Sequence, residues 1–303
     1  MTDQTSPHRA SGRPSEPAFA MSVDVEDYFQ VQAFARYVPR DEWERHPSRV
    51  VANTERVLDL FDRAGAKATF FTLGCVARAH PGLVREIAAR GHEVASHGVD
   101  HRMITELSPA EFRLQAVDSK ALLEDLAGHP VIGYRAPSYS VGASTLWALE
   151  ILLECGYAYD SSIYPIRRRR YGYPGGPVVP ARIPAGAGSR TIAEFPMPTL
   201  ALGPVRLPVL AGAYLRLLPS WLSMMALRTH AANGIPVVVN VHPWELDPDQ
   251  PTIGPSRGRT WTHYTRLAAT ERILGLVAGA ARFRSIADRL RELGLLTEAA
   301  RAT

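Results

Sequence analysis

From Ala18 to Val241 the chain repeatedly runs a short apolar stretch into a residue with chemistry to offer, then into an amphipathic stretch. Ala18-Phe-Ala-Met-Ser-Val leads to Asp24, Glu26 and Asp27, and Lys67 to Leu73 reads as a second strand. Glu93 to Ser96 leads to His97, Val131 to Tyr134 to Arg135, Tyr157 to Tyr159 to Asp160, and Pro236 to Val241 to His242. Between them, apolar residues at Val50, Val57, Leu58 and Phe61 give helical spacing that closes at Gly65, and Ser108-Pro109-Ala-Glu111 opens a long helix with a capping box. Strands and helices alternating at these lengths predict an α/β fold whose parallel sheet is closed or nearly closed into a barrel. Such a sheet gathers its C-terminal strand ends on one face, where α/β folds keep their chemistry.

The rhythm breaks between Tyr164 and Pro219 into Pro and Gly clusters and the run Arg167 to Arg170, and this stretch reads as an irregular, surface-lying insertion with one short strand at Thr191 to Phe195. Helices near Trp221 to Ala232, Tyr264 to Val277 and Ser285 to Leu293 complete the chain. With neither an internal repeat nor a second core, residues 18–303 read as one domain behind a polar, disordered tail over residues 1–17.

Composition narrows the function classes. A chain of 303 residues that is 46% hydrophobic can bury a full core. A formal charge of +4 is too mild a bias for a nucleic-acid footprint. Cys75 and Cys155 lie far apart in apolar surroundings and read as reduced packing residues. The first residues lack the apolar core of a secretory signal, and no run reaches the ~18 apolar residues of a membrane span. The cytoplasm is the expected compartment.

His97 and His101 stand four residues apart, and Gly98 between them argues for a loop at a strand end rather than a helix. Three acids at Asp24, Glu26 and Asp27 would repel one another without a cation, and in a strand Asp24 and Glu26 point to one side. Two imidazoles and a carboxylate suit Zn²⁺ or a similar first-row ion, with room left for a water that becomes a nucleophile near neutral pH. A carboxylate not spent on the metal can act as base, and a histidine across the site can protonate a leaving group.

Val23-Asp24-Val-Glu26-Asp27, Ser96-His97-Gly-Val-Asp-His101, Arg135-Ala-Pro137 and Val241-His242-Pro, in that order, resemble the successive motifs of the NodB-homology polysaccharide deacetylases, carbohydrate esterases that remove N-acetyl groups from amino-sugar polymers. Tyr28-Phe29-Gln30 and Thr252-Ile-Gly-Pro further resemble the branch associated with exopolysaccharide gene clusters. The resemblance spans roughly Ala18 to Pro243. It implies a distorted parallel (β/α) barrel, a divalent ion, Zn²⁺ first with Co²⁺, Ni²⁺ or Mn²⁺ as alternatives, and an N-acetylated glycan or lipid-linked saccharide as substrate.

The same resemblance makes Asp24 the general base, His242 the general acid and His97 and His101 metal ligands. Arg135 would orient Asp24, Asp160 would orient His242, and the backbone N–H of Ser138 would serve the oxyanion. The family pattern has two adjacent aspartates, and here Val25 stands where the metal-binding second acid would be. Glu26 is then the first choice for the third ligand and Asp27 the second. Two rival readings stay open: a metal-independent hydrolase of a small cyclic amide, as in relatives of the family, and a glycan-binding protein without turnover. Tyr139, Trp244 and Trp261 are aromatics that could stack on sugar rings or belong to the core.

Overall fold

The computed structural model describes residues 19–168, 171–186, 188–203, 205–254 and 260–297. The expected N-terminal tail, and Arg169 and Arg170 of the arginine run, lie outside the described residues.

Eleven strands are described: β1 (Phe19–Val25), β2 (Thr69–Thr72), β3 (Glu93–Ser96), β4 (Gly133–Tyr134), β5 (Tyr159–Asp160), β6 (Ala181–Pro184), β7 (Thr191–Glu194), β8 (Thr199–Leu202), β9 (Val205–Pro208), β10 (Val238–Val241) and β11 (Phe283–Arg284). Nine of them form one sheet in the order β10-β1-β2-β3-β4-β5-β7-β6, with β11 also on β1. Every pairing in this sheet is parallel except the terminal β6–β7 pair. β10 and β6 are left as the two ends of this order, so the result is a curled half-barrel rather than a closed barrel.

The sheet's two faces pack into different clusters, as the period of two requires. Met21, Val23, Phe70, Val94 and Val239 turn outward and pack with Val57, Leu58 and Phe61 of the helix Val50–Ala64 and with Leu83, Val84 and Ile87 of the helix Pro81–Ala89. Ala20, Phe71, Ala95, Tyr159, Ala193 and Val238 fill the concave face, together with Ile286, Ala287 and Leu290 of the helix Ile286–Glu292. Both faces being covered, β1, β2 and β10 are buried at every residue, which is why their sequences are mostly apolar with only a few polar interruptions. Ser22 and Asp24 share the parity of Ala20, which sets Asp24 at the mouth of the concave face.

The long helix Pro109–Ala127 begins with the expected capping box: Ser108 Oγ accepts from Glu111 N (3.3 Å) and Glu111 Oε2 accepts from Ser108 N (2.8 Å). The stretch 164–219 departs from expectation. It supplies β6 and β7 to the main sheet, the β8–β9 hairpin and the short helix Ala213–Leu217, and it buries Phe195, Met197 and Val209 completely. Four-residue strands broken by Pro and Gly are too short for a period of two to show, so the sequence concealed their order.

Gly133 on β4 marks the tightest packing inside the sheet. A Cβ there would meet the Tyr159 ring of β5 at 2.2 Å, and Tyr159 is itself fixed by the hydrogen bond it donates to Glu93 Oε1 (2.9 Å). Gly133→Ala is therefore expected to lower unfolding stability by about 1–3 kcal/mol, measured by denaturant titration.

Candidate active site and metal centre

The C-terminal ends of β1, β3, β4 and β10 deliver Asp24, His97, Arg135 and His242 to one place. Asp24, Glu26, His97, His101, Ser138 and His242 all line a cavity of about 310 Å³.

Glu26, His97 and His101 form a buried trio whose ligand-capable atoms lie within 4.8 Å of one another. His97 Nδ1 donates to the backbone carbonyl of Arg135 (2.8 Å), which fixes the proton on Nδ1 and leaves Nε2 with a free lone pair. Burial pushes its pKa down to about 4, so the ring stays neutral at working pH. His101 takes a left-handed conformation (φ 56°), and the loop is clamped from outside by Arg40, which donates to the carbonyls of Asp100 (2.9 Å) and His101 (3.3 Å). Glu26 Oε1 accepts from the Trp244 indole (3.1 Å). Glu26 Oε2 lies 2.8 Å from His101 Nε2, yet makes no properly directed hydrogen bond. A buried carboxylate oxygen and an imidazole nitrogen that approach without a directed bond fit two donors converging on a shared cation. Burial raises the Glu26 carboxyl, but the neighbouring His101, with His242 and His97 beyond it, more than offsets burial and holds the group far below the usual carboxylate range.

Asp24 is held from three sides. Its Oδ1 accepts from Arg135 Nη1 (2.7 Å), its Oδ2 from Asn240 Nδ2 (3.1 Å), and His242 Nε2 stands 3.6 Å from Oδ2. Burial opposes its ionisation, and the Arg135 charge together with His97 and His242 outweighs burial, so the carboxyl sits below its ordinary value. Arg135 has no exposed surface and lies over the Phe71 ring at 4.1 Å.

His242 Nδ1 pairs with Glu245 Oε2 (2.9 Å), whose other oxygen, Oε1, accepts from the fully buried Arg216 (2.5 Å). Burial pushes the imidazole down, but Glu245 beside it, with Glu26 and Asp24 beyond, raises it to about 9. Glu245, held by Arg216 and His242, is lowered to about 2 against the opposing effect of its own burial. His242, Trp244 and His263 form a three-ring stack with centroids 5.1 and 4.0 Å apart.

Two expected residues lie apart from this arrangement. Asp27 turns its carboxylate to Ser48 Oγ (2.7 Å) and to the backbone N–H groups of Arg49 (3.0 Å) and Val50 (3.3 Å), where it caps the helix Val50–Ala64. It is spent on that helix and is no part of the donor trio. Asp160 bonds Ser162 through its hydroxyl (2.6 Å) and N–H (3.1 Å) and sits beside Glu194, burial raising both acids; the orienting position on His242 belongs to Glu245. Trp244 stacks with His242 and His263 and forms part of the cavity wall, as does Tyr139, which accepts from Asn240 Nδ2 (2.8 Å), whereas Trp261 is exposed away from the lining. Ser138 and Tyr139 are both left-handed (φ 55° and 53°), a strained pair that turns the backbone after Pro137 into the cavity wall.

Asn240, Glu245 and Arg216 were not singled out from sequence. Glu245 carried a legible signal, since His242-Pro-Trp-Glu245 is a capping box with Pro at the first position. The others are recognisable only once the chain is folded.

Residues 43–159 match the family described as "Polysaccharide deacetylase", and residues 161–291 match a "Domain of unknown function". A peptidoglycan-N-acetylglucosamine deacetylase from Bacillus cereus is 33% identical over 98 residues, covering 32% of this chain and 36% of that protein. A peptidoglycan deacetylase from Helicobacter pylori is 31% identical over 108 residues, covering 36% of each chain. The matched stretch thus spans about a third of those curated relatives. Among solved structures, a candidate polysaccharide deacetylase from Mycobacterium smegmatis superposes with a TM-score of 0.58 at 19% identity, covering 99% of this chain and 98% of that one. An allantoinase superposes at 0.60 and 15% identity, over 97% of this chain and 100% of that one. Identities so low speak to fold alone, and that fold is the curled, mostly parallel sheet described above. The boundary between the two matched segments falls inside β5, yet one sheet and one cavity run through both, and it is residues 43–159 that match the polysaccharide deacetylase family.

Proposed function

We propose that residues 18–303 act as one domain, a metal-dependent hydrolase that removes N-acetyl groups from N-acetylhexosamine units of a glycan or its lipid-linked precursor. The observation that carries this reading is the Glu26–His97–His101 trio, with Glu26 Oε2 lacking a directed hydrogen bond, beside an acid and a histidine poised in opposite protonation states. The names of the B. cereus and H. pylori relatives support the substrate class.

A divalent ion held by Glu26, His97 and His101 would polarise the acetamide carbonyl and ease deprotonation of a water. Asp24, ionised and fixed by Arg135 and Asn240, takes the proton of the attacking water. His242, protonated and fixed by Glu245, hands a proton to the departing amine nitrogen, so acetate and a free amino sugar leave. The Ser138 N–H, on the cavity wall, serves the carbonyl oxygen as negative charge develops there. The cavity's small volume and its tyrosine-rich wall (Tyr139, Tyr164, Tyr171, Tyr214) suit about one sugar ring at the reacting position.

Metal analysis of purified variants tests the roles. His97→Ala and Glu26→Gln are expected to lose bound metal, because two remaining donors hold a divalent ion poorly. Asp24→Asn is expected to keep its metal and lose roughly 10²–10⁴-fold in kcat on chitin oligomers. Asp27→Asn should keep both and lose about 1 kcal/mol of stability through its helix cap. Metal retained in both His97→Ala and Glu26→Gln would overturn the ligand set.

A pH profile tests the acid. The raised pKa of His242 means its protonated form is present below about 9 and is lost as pH rises through that value, so kcat/KM should fall on the basic side near 9. Glu245→Gln removes the charge that sustains this and should move the basic limb down toward the ordinary histidine value of about 6.5. An unmoved limb would show that His242 is not the group observed.

A further inference from the structure

We propose that a second cleft beside the catalytic cavity holds further sugar units of the same glycan, with Trp43 as its stacking ring. The inference rests on the N-deacetylase reading and extends it from one sugar to a chain.

The cleft measures about 560 Å³, larger than the catalytic cavity, and Phe29, Gln30, Trp43, His46, His80 and Asp100 are among its walls. Asp100 and His101 are consecutive, the first lining the cleft and the second the catalytic cavity, so one loop borders both. A third hollow, of about 180 Å³, shares Gln32 with the catalytic cavity and Phe29, Gln30, Arg40 and Trp43 with the cleft. The three hollows follow the segment that runs from Phe29 to Ser48. Arg40 ties this segment to the metal-ligand loop through the carbonyls of Asp100 and His101, so cleft and catalytic loop keep their relative positions.

The chemistry of the walls selects the occupant. Phe29 is buried and backs the other rings, with Trp43 at 6.2 Å and His46 stacked on it at 5.4 Å. Trp43 and His46 are only half buried, so ring surface remains open, while the Trp43 indole nitrogen itself is buried. Most nearby charges are already engaged, Arg40 with Glu106 (3.1 Å), Asp27 with Ser48 (2.7 Å) and the helix it caps, and Asp100 with Gln115 (2.9 Å), and Glu44 is exposed on the same wall. What remains is aromatic surface beside one exposed carboxylate, which matches the apolar face and hydroxyl rim of an uncharged sugar better than an anion. None of these residues takes part in the proposed reaction, so the cleft acts through binding.

The test is calorimetric titration of the full chain, wild type and Asp24→Asn, with chitin oligomers of two, four and six sugars. Affinity should rise about tenfold or more from the dimer to the longer oligomers. Trp43→Ala should erase that rise and leave dimer affinity unchanged, while Trp43→Phe, which keeps a ring and so guards against a folding defect, should retain most of it. Equal affinity for all lengths, or an undiminished length dependence in Trp43→Ala, would overturn the cleft while leaving the catalytic reading intact. Failure of the wild type to bind any oligomer would overturn both.

Discussion

The buried guanidinium of Arg135 is the interaction on which the rest of the site depends. A charge with no exposed surface is costly unless its donors are met, and here all three nitrogens find acceptors on both sides of the sheet's centre. Nη1 reaches Ser22 and Asp24 of β1 and Asn240 of β10, while Nε and Nη2 reach the carbonyl and hydroxyl of Ser161 just past β5. The backbone carbonyl of the same residue fixes His97. Arg135 thus aligns Asp24, the proposed base, sets the tautomer of a candidate ligand and ties together strands far apart in sequence. Its planar fork can address several acceptors at once, which a lysine could not.

The same logic explains why the chain past residue 160 is indispensable to the site. His242 and Asn240 come from β10, Glu245 from the turn after it, and Arg216 from a short helix in the stretch read from sequence as a surface insertion. Arg216 also donates to the carbonyls of Thr262 (2.9 Å) and Thr265 (2.6 Å), so the segment that brings His263 to the cavity is anchored to the pair that orients His242. A buried Arg–Glu pair rarely stabilises a fold more than apolar residues of similar size would. Its value here lies in holding one imidazole at one angle.

Sequence was informative where a single local pattern determined the outcome. The strands ending in Asp24, His97, Arg135 and His242 are buried almost throughout, so their sequences were mostly apolar, and the long helix carried its capping box and terminal Gly128. The orienting partner of His242 was misplaced because Asp160 and Glu245 are both acids close to strand ends, and only folding shows that Asp160 is turned to Ser162 and Glu194. Stacking roles were equally opaque, since nothing local reveals that Trp244 stacks with two histidines while Trp43 keeps open ring surface.

The acid cluster at Asp24, Glu26 and Asp27 shows how backbone geometry resolves an ambiguity that composition leaves open. Strand alternation sends Asp24 to the concave side, where Arg135 and Asn240 leave it ionised with His242 across from it. The strand ends at Val25, and Glu26, two residues past Asp24, still faces the cavity but reaches the histidine pair instead of the guanidinium. Asp27, one step further, falls on the opposite side and meets the free N–H groups of the helix that begins at Val50. Three carboxylates within four residues thus avoid mutual repulsion because each has a different positive partner: a guanidinium, an imidazole pair suited to a cation, and a helix N-terminus. With Glu26 rather than its neighbour turned to the histidine pair, Val25 is freed to pack on the outer face of the sheet.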